Sequence, residues 1–174
     1  MLQKKIKIDK TLLFCMLIFT IVSLISIYSA SMYLSKTLGN LVLKQALWYL
    51  VGFFLIFLVF KFKLSFFIKI APYIYLLNNI LLLGLLFFAP EINGSKCWYV
   101  INGFGSFQPS EFMKISLILM EVYTVEKFKK KHTEMNAKNE LKLILLIGII
   151  FLIPTILTFL EPDTGAVIIY FIIT

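Results

Sequence analysis

Six apolar stretches, cut apart by short segments that carry lysine, constrain this chain more than any other feature. A bilayer core about 30 Å thick needs roughly 20 apolar residues per helical crossing. By that measure residues 12–33, 45–60, 70–89, 112–128 and 143–160 read as five full spans. The second is short and is bounded by Lys44 and Lys61, whose long stems can reach back to the interfaces. The fourth is the least apolar, and the fifth contains Pro154, which predicts a kink. The sixth stretch, residues 166–174, has nine residues and would rise about 14 Å, roughly half of the hydrocarbon core. The expected fold is therefore all-α: a polytopic helix bundle of five spans and half of a sixth in one membrane domain over residues 1–174. A helix stopping inside lipid leaves carbonyl groups unpaired at several kcal/mol each, so the chain is expected to be the front part of a longer protein.

The lysines orient the bundle. With the N-terminus inside, Lys4, Lys5, Lys7, Lys10, Lys61, Lys63, Lys69, Lys127, Lys129, Lys130, Lys131, Lys138 and Lys142 fall on the cytoplasmic side. Only Lys36, Lys44 and Lys96 fall outside, with Lys114 left in a helix end. Thirteen against three predicts a cytoplasmic N-terminus. The same pattern accounts for the formal charge of +8 as a topology signal, and no nucleic-acid partner is expected. A content of 60% apolar residues, against 45–50% in soluble domains, is more than a soluble fold of this length could hide. The run Lys129–Lys130–Lys131 reads as a solvated anchor meeting anionic headgroups.

Two other classes fall away. The basic start followed by 25 uncharged residues, positions 11–35, is too long for a secretory signal core of 7–15, so it reads as a first span. Cys15 lies in an apolar run and Cys97 in a polar loop, which disfavours both a disulfide and a metal site.

Chemistry is concentrated in two outer segments. In the first, Gly94 to Gly105 reads as loop. Pro109 after Gln108 suits a first helical position, and Glu111 suits the first turn of that helix. Glu111 and Lys114, three apart, can pair; a structural ion pair and a substrate-binding role are equally open. Glu121, two turns after Lys114, reads as a side chain reaching toward the cytoplasm. Trp98 and Tyr99 fit an interfacial aromatic belt and could also stack on a sugar. In the second segment, Glu161-Pro162-Asp163-Thr164-Gly165, Asp163 is a natural helix cap; a site for a cation or a hydroxyl-rich substrate is the alternative.

In order along the chain, Ile27–Ser31 (IYSAS), Lys44–Gly52 (KQALWYLVG), Gly94-Ser95-Lys96-Cys97-Trp98, Gln108-Pro109-Ser110-Glu111-Phe112-Met113-Lys114 and Glu161-Pro162-Asp163-Thr164-Gly165 resemble the SEDS family, the FtsW/RodA/SpoVE group of cell-wall polymerases. Lys96 stands where that family often has Arg, and Ala166 where it usually has Thr. The resemblance implies a multi-pass protein of the bacterial cytoplasmic membrane with about ten spans. It implies a peptidoglycan glycosyltransferase that polymerises a lipid-linked disaccharide-pentapeptide precursor for elongation, division or sporulation, beside a class B penicillin-binding protein. A lipid-linked precursor transporter and an inactive truncated remnant are the alternatives. The catalytic Asp of the family is expected beyond Thr174, so no residue here is assigned to it. Trp98, Gln108, Pro109, Ser110, Glu111, Lys114, Glu161, Asp163 and Gly165 are expected to shape the substrate cavity or to support it. No metal ligand is expected among them, and the one cofactor the resemblance leaves room for is a divalent cation in the intact protein. Membrane lipids complete the expected partners.

Overall fold

The computed structural model describes residues 9–33, 41–92, 94–101, 105–132, 134 and 136–174. Lys4, Lys5, Lys7 and Lys36, used above for orientation, lie outside the described residues, as do Asn102 and Gly103. The chain divides into two compact units, Met1–Phe62 and Lys63–Thr174.

The first unit holds helices α1 (Lys10–Tyr33) and α2 (Leu41–Phe60), packed on each other. Asp9 starts α1 by accepting from the Thr11 and Leu12 backbone amides at 2.9 and 3.3 Å, which supplies partners for otherwise orphaned donors. Within α1, Thr20 and Ser26 donate their hydroxyls to the carbonyls of Met16 and Val22. Such back-bonding lets polar residues sit in an apolar helix without an unsatisfied group.

The second unit contains α3 (Leu64–Phe88), a small hairpin of β1 (Tyr99–Ile101) and β2 (Gly105–Phe107), then α4 (Pro109–Lys131), α5 (Ala137–Leu160) and α6 (Thr164–Ile173). Its core joins Tyr75, Leu82 and Leu85 of α3, Met113 and Leu117 of α4, Ile150 of α5, and Ala166 and Tyr170 of α6. Polar contacts tie the helices together as well. Asn78 donates to Ser116 at 3.1 Å between α3 and α4. Tyr75 donates to the Ile150 carbonyl at 2.7 Å between α3 and α5. That carbonyl is the one Pro154, four residues on inside α5, cannot serve because proline has no N–H.

Four helices, α1, α2, α3 and α5, are long and apolar enough to cross a membrane. Together with the family assignment below, they make this a multi-pass membrane protein. The fourth expected span differs. α4 has 23 residues, about 34 Å, which is long enough. It is not apolar enough to be counted with the others, because Glu111, Lys114, Glu121, Glu126, Lys127 and Lys129–Lys131 all lie in it. The helices also overrun the apolar stretches: α3 begins at Leu64 and takes in Lys69, and α5 begins at Ala137 and takes in Lys138 and Lys142. Hydropathy marks where lipid is tolerated, whereas helical hydrogen bonding continues to the next cap. For α5 that cap is Asn136, which accepts from the Asn139 amide at 2.9 Å.

Among the described residues, the segment between α3 and α4 holds the strand structure that departs from an all-helical reading. Tyr99 pairs with Phe107 and Ile101 with Gly105 in an antiparallel hairpin. Its β-branched and aromatic residues suit a strand, but three-residue strands are too short to show a clear alternation.

Candidate functional site

Asp163 organises the end of the second unit where α4 and α6 begin. One carboxylate oxygen accepts from the Ala166 amide at 3.1 Å, which caps α6 in the way an Asp before a helix should. The other accepts from Gln108 Nε2 at 2.8 Å and from Ser110 Oγ at 3.0 Å. A single carboxylate therefore holds the N-cap residue and first turn of α4 to the start of α6. Pro109 sits between its two ligands at the first helical position and is buried, which sets the backbone without leaving an unpaired N–H. Tyr170 of α6 closes the same junction by donating to the Ser110 carbonyl at 3.0 Å.

Glu161, two residues earlier, has the opposite environment. Its side chain is fully buried, and neither carboxyl oxygen has a hydrogen-bond partner among the described residues. Burial first, and the Asp163 charge second, push its pKa up to about 8. An uncompensated carboxylate in such a place is costly and takes a proton instead, so Glu161 is mostly neutral at pH 7. Its backbone carbonyl accepts from the Cys97 thiol at 3.1 Å. Burial also pushes the Cys97 thiol up from its usual range, and the two carboxyl groups add to the effect. Cys97 is thus a protonated, structural thiol, and both it and Cys15 are free.

The hairpin is anchored by Tyr99. Its hydroxyl donates to the Leu81 carbonyl at 2.8 Å and lies over Gly84 so closely that a Cβ there would collide with it. Only a residue without a side chain permits this approach. At the other strand Phe107 packs on Phe112 of α4, with ring centroids 4.9 Å apart.

The expected site residues thus separate into two groups. Gln108, Pro109, Ser110, Asp163 and Glu161 form a buried or half-buried junction. Trp98, 37% exposed, and Glu111 face outward, and Glu111 accepts at 2.7 Å from Lys114, whose side chain is only 19% exposed. Gly165 is exposed in the first turn of α6, where a Cβ would meet nothing closer than ordinary contact. Glu121 is half-buried and accepts from the Thr174 hydroxyl at 2.8 Å. Gly84 and Tyr170 were not legible as site residues. Nothing in the sequence signalled that Cys97 meets the Glu161 carbonyl, or that Tyr99, read as a belt or sugar-stacking residue, anchors the hairpin on α3. The proximity of Cys97 to the Glu–Pro–Asp segment spans a sequence separation of 64 residues and leaves no local mark.

Chemically, Asp163 has both oxygens committed and is not free to act as a base. Glu161 carries a proton but is closed to solvent. A cation would have to displace three donors from Asp163 or enter the closed pocket of Glu161. Among the described residues no group of three or more His, Cys, Asp or Glu is placed to hold a metal ion. Asp163 and Glu161 therefore offer no ready ligand oxygens to the divalent cation that the resemblance leaves room for. Of the expected polar and aromatic site residues, Trp98 and Glu111 are the ones open to a ligand, with the ammonium of half-buried Lys114 held against Glu111.

Residues 9–174 match the FtsW/RodA/SpoVE cell cycle proteins. The chain belongs to that family. It is 32% identical over 170 residues to a probable peptidoglycan glycosyltransferase FtsW of Wigglesworthia glossinidia brevipalpis, covering 95% of this chain and 43% of that protein. It is 30% identical over 171 residues to the protein of the same name from Pseudoalteromonas translucida, covering 95% and 41%. The fold is similar to the crystal structure of the rod shape determining protein RodA of Thermus thermophilus, with a TM-score of 0.76 at 22% identity over 95% of this chain and 51% of that one. A chain from a peptidoglycan synthase complex is also similar, with a TM-score of 0.65 at 21% identity over 89% and 44%. The FtsW/RodA/SpoVE chain described here spans about two fifths of the length of these FtsW relatives and about half of that RodA.

Proposed function

We propose that this chain is the N-terminal portion of a peptidoglycan glycosyltransferase of the bacterial cytoplasmic membrane, polymerising a lipid-linked disaccharide-pentapeptide precursor at the outer face. Relatives at 30–32% identity that bear that activity in their names support the reading. The carrying observation is the Asp163 clamp, which holds the start of α4 in place and leaves Trp98 and Glu111 exposed, with Lys114 half-buried beside Glu111. In this reading the N-terminus is cytoplasmic, and α4 crosses the bilayer as one of five spans ahead of an incomplete sixth. Its charges then face a hydrated cavity rather than lipid, as intramembrane ionisable groups do.

The reaction needs a base to deprotonate the acceptor sugar hydroxyl as it attacks the donor anomeric carbon and displaces a polyprenyl diphosphate. Both outer carboxyl groups nearest the junction are unsuited to that task, Asp163 by its hydrogen bonds and Glu161 by burial. The family resemblance implies a base beyond Thr174, and in this reading the present portion supplies the cavity wall. Lys114 offers a positive charge to the diphosphate, steadied by Glu111, and Trp98 offers an apolar face to a sugar ring. A class B penicillin-binding protein is the proposed partner, in keeping with a structural relative taken from a peptidoglycan synthase complex. A divalent cation, where the reaction uses one, would screen the diphosphate from ligands outside these 174 residues.

The test is glycan synthesis by the full-length protein with a class B penicillin-binding protein and lipid-linked precursor. Polymer from the wild type, lowered at least tenfold in Lys114→Ala at unchanged thermal stability, supports the reading. Movement of precursor across liposomes with no polymer would favour a transporter, and neither activity an inactive remnant.

A further inference from the structure

A second cavity lies at the opposite end of α4 from Gln108. It encloses about 280 Å³ between the beginning of α3 and the last two turns of α4, lined by Ser65, Ile68, Lys69, Tyr123, Glu126, Lys127 and Lys130. Three lysines face one glutamate. The single ion pair among them is loose, Lys130 to Glu126 at 3.9 Å. Lys127 donates to the Tyr123 hydroxyl at 2.8 Å and lies over that ring, so its ammonium is held in position by a neutral partner. Among the described residues no carboxylate lies within ion-pair distance of Lys69 or Lys127. Ser65 belongs to the first turn of α3, whose N-cap residue, Lys63, makes no side-chain capping bond. A 25-residue helix therefore adds the partial positive charge of its N-terminus to the same spot.

Two lysines without acidic partners, converging on a concave site beside a helix N-terminus, call for an anion with several acceptor oxygens. The size favours a small one, since drug-sized ligands occupy about 300–1,000 Å³. Leu64 and Phe66, in the same first turn of α3, are exposed large apolar residues, so the anion would sit beside an apolar surface as well as a basic one. We propose that this cavity binds the phosphate of an anionic phospholipid headgroup. Lys69 and Lys127 are its main ligands, Lys130 is shared with Glu126, and Ser65 donates a hydroxyl. This differs from the general attraction of a polybasic segment to a charged surface, because it requires the lysines that line the cavity rather than their neighbours.

The experiment measures lipid retained by the full-length protein after extraction from phosphatidylcholine nanodiscs doped with phosphatidylglycerol, read by native mass spectrometry. Wild type should retain phosphatidylglycerol preferentially. Lys69→Gln and Lys127→Gln should each lower that retention about tenfold or more, the loss of one hydrogen bond to a charged group. Lys129→Gln and Lys131→Gln, which remove the same charge from exposed positions outside the cavity, should leave it nearly unchanged. Glu126→Gln should raise it, which keeps the test decisive where a lysine variant folds poorly. Equal losses in the Lys129 and Lys131 variants would overturn the proposal in favour of diffuse attraction. Displacement of the retained lipid by millimolar inorganic phosphate, with phosphate then bound alone, would overturn the lipid assignment.

Discussion

Tyr75 gives its hydroxyl to the backbone carbonyl of Ile150 at 2.7 Å, the carbonyl that Pro154 leaves without its helical donor. The bond joins α3 to α5 and removes the cost of a proline inside an apolar helix, where a bare carbonyl would have no water to turn to. Tyr75→Phe should therefore destabilise the protein by about 1–3 kcal/mol, the penalty for an unsatisfied buried group. In a Pro154→Ala background the helix regains its own donor, and the same change should cost less. A double-mutant cycle followed by thermal unfolding should give a coupling energy of about 0.5–2 kcal/mol; strict additivity would argue against the compensation.

Asp163 serves three donors. Asp163→Ala should cost about 2–4 kcal/mol, one part from the lost cap and the rest from Gln108 and Ser110 left unpaired. Ser110→Ala removes a single bond and should cost about 1 kcal/mol. Hydrogen exchange should show faster opening at residues 105–111 and in the first turn of α6 in the Asp163 variant, and little change elsewhere.

Gly84 and Tyr99 make a steric pair. Gly84→Ala should push Tyr99 away and destabilise by about 1–3 kcal/mol, as overpacking does. Tyr99→Phe removes the colliding hydroxyl, and the next ring atom lies at 3.7 Å, an ordinary contact. Alanine at Gly84 should then be tolerated, so the double variant should be more stable than Gly84→Ala alone.

Glu161 predicts a pH dependence. Its folded-state pKa, raised to about 8 by burial, lies above the unfolded value of about 4.3. Between those values the folded state binds more protons, so stability falls as pH rises. The slope should approach about 1.4 kcal/mol per pH unit and level off above pH 8. Glu161→Gln stays neutral throughout, so it should flatten this part of the profile and be more stable than wild type at pH 8. Melting curves across this range, compared between the two proteins, test it; parallel profiles would contradict the buried acid.

Some of this was legible in local pattern. Pro109 and Asp163 read correctly as helix starts, because a first-turn proline and an Asp cap act within four residues of chain. Other features stayed out of reach. Glu161 and Asp163 looked like two equivalent carboxylates around a proline, yet one is buried without a partner and the other is fully bonded. The difference arises from Cys97, Gln108 and Ser110, which lie 53 to 64 residues away along the chain. Glu111 and Lys114 paired as their spacing allows, while the hairpin between Trp98 and Gln108 read only as loop.

By itself, the sequence determined the apolar helices, their approximate places and the family, because hydropathy, caps and motifs are properties of short stretches of chain. Tertiary structure alone decided which polar groups are satisfied: Asp163 as a clamp, Glu161 as a buried acid, Tyr75 serving the carbonyl freed by Pro154, and lysines of α3 and α4 meeting around one cavity. Each of these depends on the closure of long loops, and the energy of a buried or paired charge depends on what packing brings beside it.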